Sequence, residues 1–194
     1  MVGGGPFGLK AGAWTDDTSM ALCLGRSLLE LRGFDAADQM RKYVAWYRTG
    51  YMSSTGACFD IGNATRAALN RFEQTGDPFS GSTDPRTAGN GSTMRLAPVP
   101  ILYHRDLDAV TRHAMESSRT THAAPECLEA CAFLGRALIR AMRGAPKDAV
   151  LFGDDRPYRE PSVRAIAAGQ YRTLSIGQIR GSGYVIDGLV AALW

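Results

Sequence analysis

The chain has 194 residues, 45% of them hydrophobic and 21% charged, with a formal net charge of +3. That length suits one domain with a substantial core, and the composition excludes collagen-like, coiled-coil and disordered character for the bulk of the sequence. Lys and Arg are scattered among acids and no segment nears the ~20 apolar residues that span a bilayer, so neither a nucleic-acid nor a membrane partner is expected.

Residues 1–15 are glycine-rich and aperiodic and read as a loop. They have neither a basic stretch nor an apolar core of the kind found in signal peptides, and a cytoplasmic location follows by default. From Asp17 the spacing of Met20, Leu24, Leu28 and Leu31 predicts a helix that stops at Gly33. A second helix is predicted over 36–48, with Met40, Tyr43, Val44 and Tyr47 on one face. Residues 50–60 read as a loop, and helical spacing resumes at Ile61 and runs to Phe72. The stretch 76–93 is rich in glycine, lacks periodicity, and is long enough to suggest a functional loop. Helices are then predicted at 94–103 (interrupted by Pro98 and Pro100), 106–117 and 124–143, with shorter ones at 161–171 and 183–194. No segment alternates with period two, so the expected fold class is all-α. An apolar helix is still running at Trp194, so the chain is expected to be a fragment. Cys23, Cys127 and Cys131 fall at apolar helical positions, and the cysteine spacing resembles no zinc or redox motif. They read as buried free thiols.

The chain contains no phosphate loop of the GxxxxGK[ST] type, no HExxH and no GxSxG, and only three histidines. Four segments carry chemistry instead. Thr15-Asp16-Asp17-Thr18 places adjacent carboxylates and hydroxyls within one turn of a helix start, an all-oxygen set that suits Mg²⁺ or Mn²⁺. The same residues suit a helix cap, and composition alone leaves both readings open. Gly89-Asn90-Gly91-Ser92-Thr93-Met94-Arg95 reads as a glycine turn with a Ser or Thr cap. Its other reading is a cradle whose backbone N–H groups and hydroxyls face an anion, with Arg95 adding charge or bonding the loop. His122 follows Ser118-Arg119-Thr120-Thr121 in a polar loop and is either a ligand contact or a surface histidine. Asp60, between Phe59 and Ile61, is either a carboxylate held in a site or a helix cap, the cap being what the residues alone favour.

Taken together, these segments resemble the ADP-ribosylglycohydrolase family. The resemblance rests on Trp14-Thr15-Asp16-Asp17-Thr18-Ser19-Met20, Phe59-Asp60-Ile61-Gly62-Asn63, Gly89 through Pro98, Ser118 through His122, and Gly183-Tyr184-Val185, in that order. It covers essentially residues 1–194, as a single domain of that type. It implies an orthogonal multi-helix fold, incomplete here, around a cleft holding two Mg²⁺ or Mn²⁺ ions. Thr15, Asp16 and Asp17 would be metal ligands, and Gly89, Asn90, Gly91, Ser92, Met94 and His122 would bind substrate. Asp60 and Asp16 would be catalytic. The implied reaction is metal-dependent hydrolysis of an ADP-ribosyl N- or O-glycosidic bond on a modified protein or small molecule. In the family an upstream helix precedes the matched region, and a downstream Asp-x-Asp-Thr segment completes the metal set. The alternative is accordingly a module that binds ADP-ribose or a nucleotide without cleaving it, or an inactive fragment.

Overall fold

A computed structural model describes residues 2–194; Met1, the first residue of the expected N-terminal loop, lies outside the described residues. Nine α-helices are present among them: α1 (Asp16–Leu31), α2 (Ala36–Thr49), α3 (Asn63–Thr75), α4 (Pro98–Leu102), α5 (Leu107–Arg119), α6 (Pro125–Met142), α7 (Lys147–Phe152), α8 (Pro161–Ala167) and α9 (Val185–Leu193). Extended pairing among the described residues is limited to three isolated bridges, Gly4 with Leu9, Ser82 with His122, and Gly89 with Tyr184. The all-α expectation is met, and none of these helices is long and apolar enough to cross a membrane.

The helices form where the apolar spacing and the caps agree. Along α1, Met20, Cys23, Leu24 and Leu28 make one buried stripe. Helix α2 opens with the Asp35 carboxylate accepting the Asp38 N–H at 2.7 Å, and it ends at Gly50 in the left-handed region (φ +72°). A β-carbon at Gly50 would lie 2.1 Å from the Gly56 carbonyl, so the chain can double back there only with glycine. Helix α6 is the axis of the molecule. It packs against α4, α5, α7, α8 and α9, and it buries side chains on nearly every face. Small residues allow this: a β-carbon at Gly135 would sit 3.1 Å from Val110 on α5. Two apolar clusters meet at α6. One joins α1, α2 and α4 through Met20, Leu24, Met40, Trp46 and Val99, and includes Cys131. The other joins α6, α8 and α9 through Phe133, Val163, Ile166, Val185 and Leu189.

Several boundaries differ from the sequence expectation. The helix expected from 94 begins only at Pro98, because Asn90–Ser92 forms a 3₁₀ turn and the Asn90 carbonyl holds the N–H groups of both Thr93 and Met94. The helix expected over 161–171 ends at Ala167, since Gly169 adopts a left-handed conformation (φ +74°) before a 3₁₀ turn at Gln170–Thr173. Helix α7 was not expected at all. Its apolar residues come as one run, Ala149 to Phe152, without helical spacing.

Candidate active site

Five segments converge on one cleft of about 370 Å³, whose wall includes Asp16, Asp17, Asp60, Asn63, Gly89, Asn90, Gly91, Met94, His122 and Gly183. The first is the head of α1. The Trp14 N–H and carbonyl both bond the Ser54 hydroxyl, at 3.1 and 2.6 Å, and the Trp14 indole donates to the Met52 carbonyl at 3.2 Å. These bonds pin the start of α1 to the loop that Gly50 closes. Thr15 occupies the cap position, yet neither it nor Asp16 caps the helix through its side chain. The Thr15 hydroxyl donates to the Asp17 carboxylate at 3.0 Å. The capping reading of this cluster is therefore set aside.

Asp60 is also not a cap. Helix α3 is capped by Gly62 without a side-chain bond, and Asp60 sits in the left-handed region (φ +58°), which aspartate tolerates better than most residues. Its side chain joins Asp16 and Asp17 on the cleft wall, and among the described residues none of the three forms an ion pair with a basic side chain. The consequence falls on Asp16, which is only 7% exposed. Burial first, then the charges of Asp17 and Asp60, push its carboxyl up from 3.8 to about 7. Burial and crowding thus outweigh the favourable helix N-terminus.

Uncompensated hard-oxygen donors of this kind fit a divalent cation, and Thr15, Asp16 and Asp17 would hold it. They are not a finished cage: no group of three or more His, Cys, Asp or Glu side chains among the described residues is gathered to hold a metal.

Across the cleft lies the Gly89–Met94 turn, and here the sequence expectation needs correction. The Gly89 N–H is taken by the Thr87 carbonyl at 2.7 Å and the Asn90 N–H by the Gly183 carbonyl at 2.9 Å, so these two donors are not free for an anion. Ser92 is buried beneath the turn rather than on the cleft wall, its hydroxyl accepting from Ser118 (2.9 Å) and from the Cys131 thiol (3.4 Å). The Thr93 hydroxyl donates back to the Asn90 carbonyl. Thr15 likewise is not on the wall. Gly89, Asn90, Gly91 and Met94 are. The turn is clamped from behind by the start of α9, where the Val185 N–H bonds the Ala88 carbonyl at 3.0 Å.

His122 is not on the surface; it is 4% exposed. The segment after α5 returns beside Gly81 and Ser82, with the Ala123 N–H bonded to the Ser82 carbonyl at 3.0 Å, and this seats the ring under Gly89 and Gly91. A β-carbon at Gly91 would come 2.7 Å from the ring, so glycine there is what admits the histidine. Burial, with Arg95 adding its charge, pushes the imidazole down to about 3, and the ring is uncharged near neutral pH. Arg95 itself lies wholly buried, stacked over the Tyr43 ring at 4.6 Å, and does not reach the cleft. All four cysteines are free, and three are buried; burial pushes the thiol of Cys23 up to about 12. The wall residues missed by the sequence reading are Gly62, Asn63, Ala64, Thr65 and Gly183. Gly62, Asn63 and Gly183 belong to segments that carried the resemblance, which was the available signal.

An all-helical fold with a carboxylate cluster facing a glycine turn and a buried histidine defines a class, and the chain belongs to the ADP-ribosylglycohydrolase family, whose model matches residues 1–194. Among relatives, it is 48% identical over 194 residues to ADP-ribosylarginine hydrolase Tri1 of Pseudomonas putida (strain GB-1), covering all of this chain and 52% of that protein. It is 43% identical to ADP-ribosylarginine hydrolase Tri1 of Serratia proteamaculans (strain 568), covering all of this chain and 53% of that protein. A solved structure described as an ADP-ribosylglycohydrolase-related protein complex superposes with a TM-score of 0.81 at 44% identity, covering all of this chain and 62% of that one. The chain thus spans about half the length of the curated relatives it matches.

Proposed function

We propose that residues 1–194 form one ADP-ribosylglycohydrolase-type domain, part of a longer fold, whose cleft takes ADP-ribose linked to the arginine of a modified protein. The observation that carries this reading is the convergence of Asp16, Asp17 and Asp60 on the same cleft as Gly89–Gly91 and His122. The link to arginine follows the names of the Pseudomonas and Serratia relatives.

The reaction is hydrolysis at C1 of the ribose. The bond from C1 to the guanidinium nitrogen breaks through an oxocarbenium-like state, water adds its oxygen to C1, and a proton passes to the departing guanidine. Asp60 accepts the proton of the attacking water, and Asp16 and Asp17 surround the developing positive charge on the ribose. Gly89, Asn90, Gly91 and Met94 form the opposite wall against which the ADP moiety lies, Ser92 supports that turn from beneath, and His122 contacts the ligand through its open ring nitrogen. A Mg²⁺ or Mn²⁺ ion bound at Thr15, Asp16 and Asp17 would supply positive charge that orients ribose hydroxyls and acidifies water.

The test is release of ADP-ribose from a protein mono-ADP-ribosylated on arginine, with Mg²⁺, Mn²⁺ or EDTA, alongside calorimetry of free ADP-ribose. Release that requires the divalent ion and disappears in Asp60→Asn supports hydrolysis. Binding of free ADP-ribose without release supports the second reading, a binding module. The proposal fails if neither binding nor release is seen.

A further inference from the structure

A chain of hydrogen bonds runs from the core to His122 on the cleft wall through Arg95 and Thr121, which the mechanism above does not use. The Arg95 Nη2 donates to the Thr121 hydroxyl at 2.7 Å, and also to the Ser117 carbonyl and the Thr120 hydroxyl, each at 3.2 Å. The Thr121 hydroxyl in turn lies 2.8 Å from Nδ1 of His122. Guanidinium nitrogens only donate, so Thr121 Oγ1 is an acceptor toward Arg95. Its own proton then needs an acceptor, and His122 Nδ1 is the one within reach among the described residues. The opposite arrangement, Nδ1–H donating to Oγ1, leaves the hydroxyl proton unpaired at a residue that is 1% exposed, a costly outcome. Nδ1 is therefore the bare nitrogen and the ring proton sits on Nε2. Among the described residues Nε2 has no hydrogen-bond partner; it lies beside Gly89 and Gly91 on the cleft wall.

We propose that Arg95 and Thr121 are positioning residues that fix His122 as the Nε2–H tautomer, a hydrogen-bond donor aimed into the cleft at an oxygen acceptor of the ligand. On the reading given above, that acceptor is a phosphate or ribose oxygen of ADP-ribose. The arrangement also assigns Arg95 a role different from the one its place beside the glycine turn suggests. Its charge stays in the core, stacked on Tyr43, where it disfavours a second positive charge on the imidazole. The cleft thereby gains a directed donor without gaining a cation, and the ring cannot turn its bare nitrogen toward the ligand's oxygens.

The decisive measurement is a long-range proton–nitrogen NMR spectrum of the histidine rings in the ligand-free chain near neutral pH. The expected result is a bare Nδ1 and a protonated Nε2 for His122. Thr121→Ser keeps that pattern, whereas Thr121→Val, which has the same shape without the hydroxyl, gives a mixture of tautomers. In Arg95→Gln the ring takes up a proton at a higher pH than in the parent. Calorimetry with ADP-ribose should show affinity falling about tenfold in Thr121→Val and recovering in Thr121→Ser. A protonated Nδ1 in the parent chain overturns the proposal, and so does a Thr121→Val variant that keeps both tautomer and affinity. The parent spectrum decides the assignment even if a variant does not fold. If the tautomer is as expected while the parent binds no ADP-ribose, the assignment stands and the proposed function fails.

Discussion

Asp16→Asn stabilises the ion-free chain at pH 8 by roughly 2–3 kcal/mol and abolishes its stabilisation by divalent ions. The sign follows from the displaced ionisation of Asp16. In the unfolded chain this carboxyl ionises near its ordinary value of 3.8, whereas in the fold burial and the neighbouring Asp17 and Asp60 hold it protonated to about 7. Between those values the native state binds more protons than the unfolded one, so stability falls as pH rises from about 4 to 7. The contribution is complete below the lower value and lost above the upper one. Asparagine carries no such proton and leaves that window flat. On the proposed metal site, added Mg²⁺ is expected to restore the parent at pH 8, because a cation would replace the missing proton, and to do nothing for Asp16→Asn. Urea unfolding in EDTA at pH 5 and pH 8, repeated with Mg²⁺, reads all of this. A parent chain whose midpoint is indifferent to both pH and Mg²⁺ would remove the physical basis for a metal at the head of α1.

Asp154→Ala costs about 3–5 kcal/mol, the range for breaking a buried ion pair from one side. The Asp154 side chain is wholly buried. It accepts from Arg136 Nε at 2.7 Å and from the Tyr158 hydroxyl at 2.6 Å, and Arg140 lies 3.5 Å away. Removing it strands the Arg136 guanidinium, itself 8% exposed, with only the solvent-facing Asp155 and the Thr111 hydroxyl as partners among the described residues. It also frees Tyr158, whose hydroxyl is held protonated by burial and by that same carboxylate. The loss should therefore exceed that of Asp155→Ala several-fold, since Asp155 is 93% exposed and exposed pairs contribute ~1 kcal/mol or less. Equal midpoints for the two variants in urea would show that the buried network does not stabilise the chain.

These two sites also mark how far the sequence could be read. Helices α1, α2, α5 and α6 were legible because each carries an apolar stripe at helical spacing long enough to decide the matter. Helix α7 and the turn holding Asp154 were not, because their order comes from Arg136 and Arg140 on α6, a contact across many residues that no local pattern encodes. In the cleft, the acids of α1 were visible as a run of oxygen-bearing side chains that suited a metal and a cap alike, and Asp60, which its neighbours alone favoured as a cap and the resemblance placed in the site, has a left-handed backbone. Arg95 and Thr121 were obscured by their neighbours. An arginine following a glycine and serine turn reads as an anion contact, and only the position of Tyr43 on α2 reveals a guanidinium turned inward.

Helix α6 contributes side chains to both apolar clusters, and Leu134 touches each of them. Neither cluster can open without stripping the other of a wall, so the chain has no natural seam along which half could melt while half persisted. Cooperativity here is inherited from one shared helix. The backbone amides in the middle of α6 should then be released to solvent only when the whole molecule unfolds.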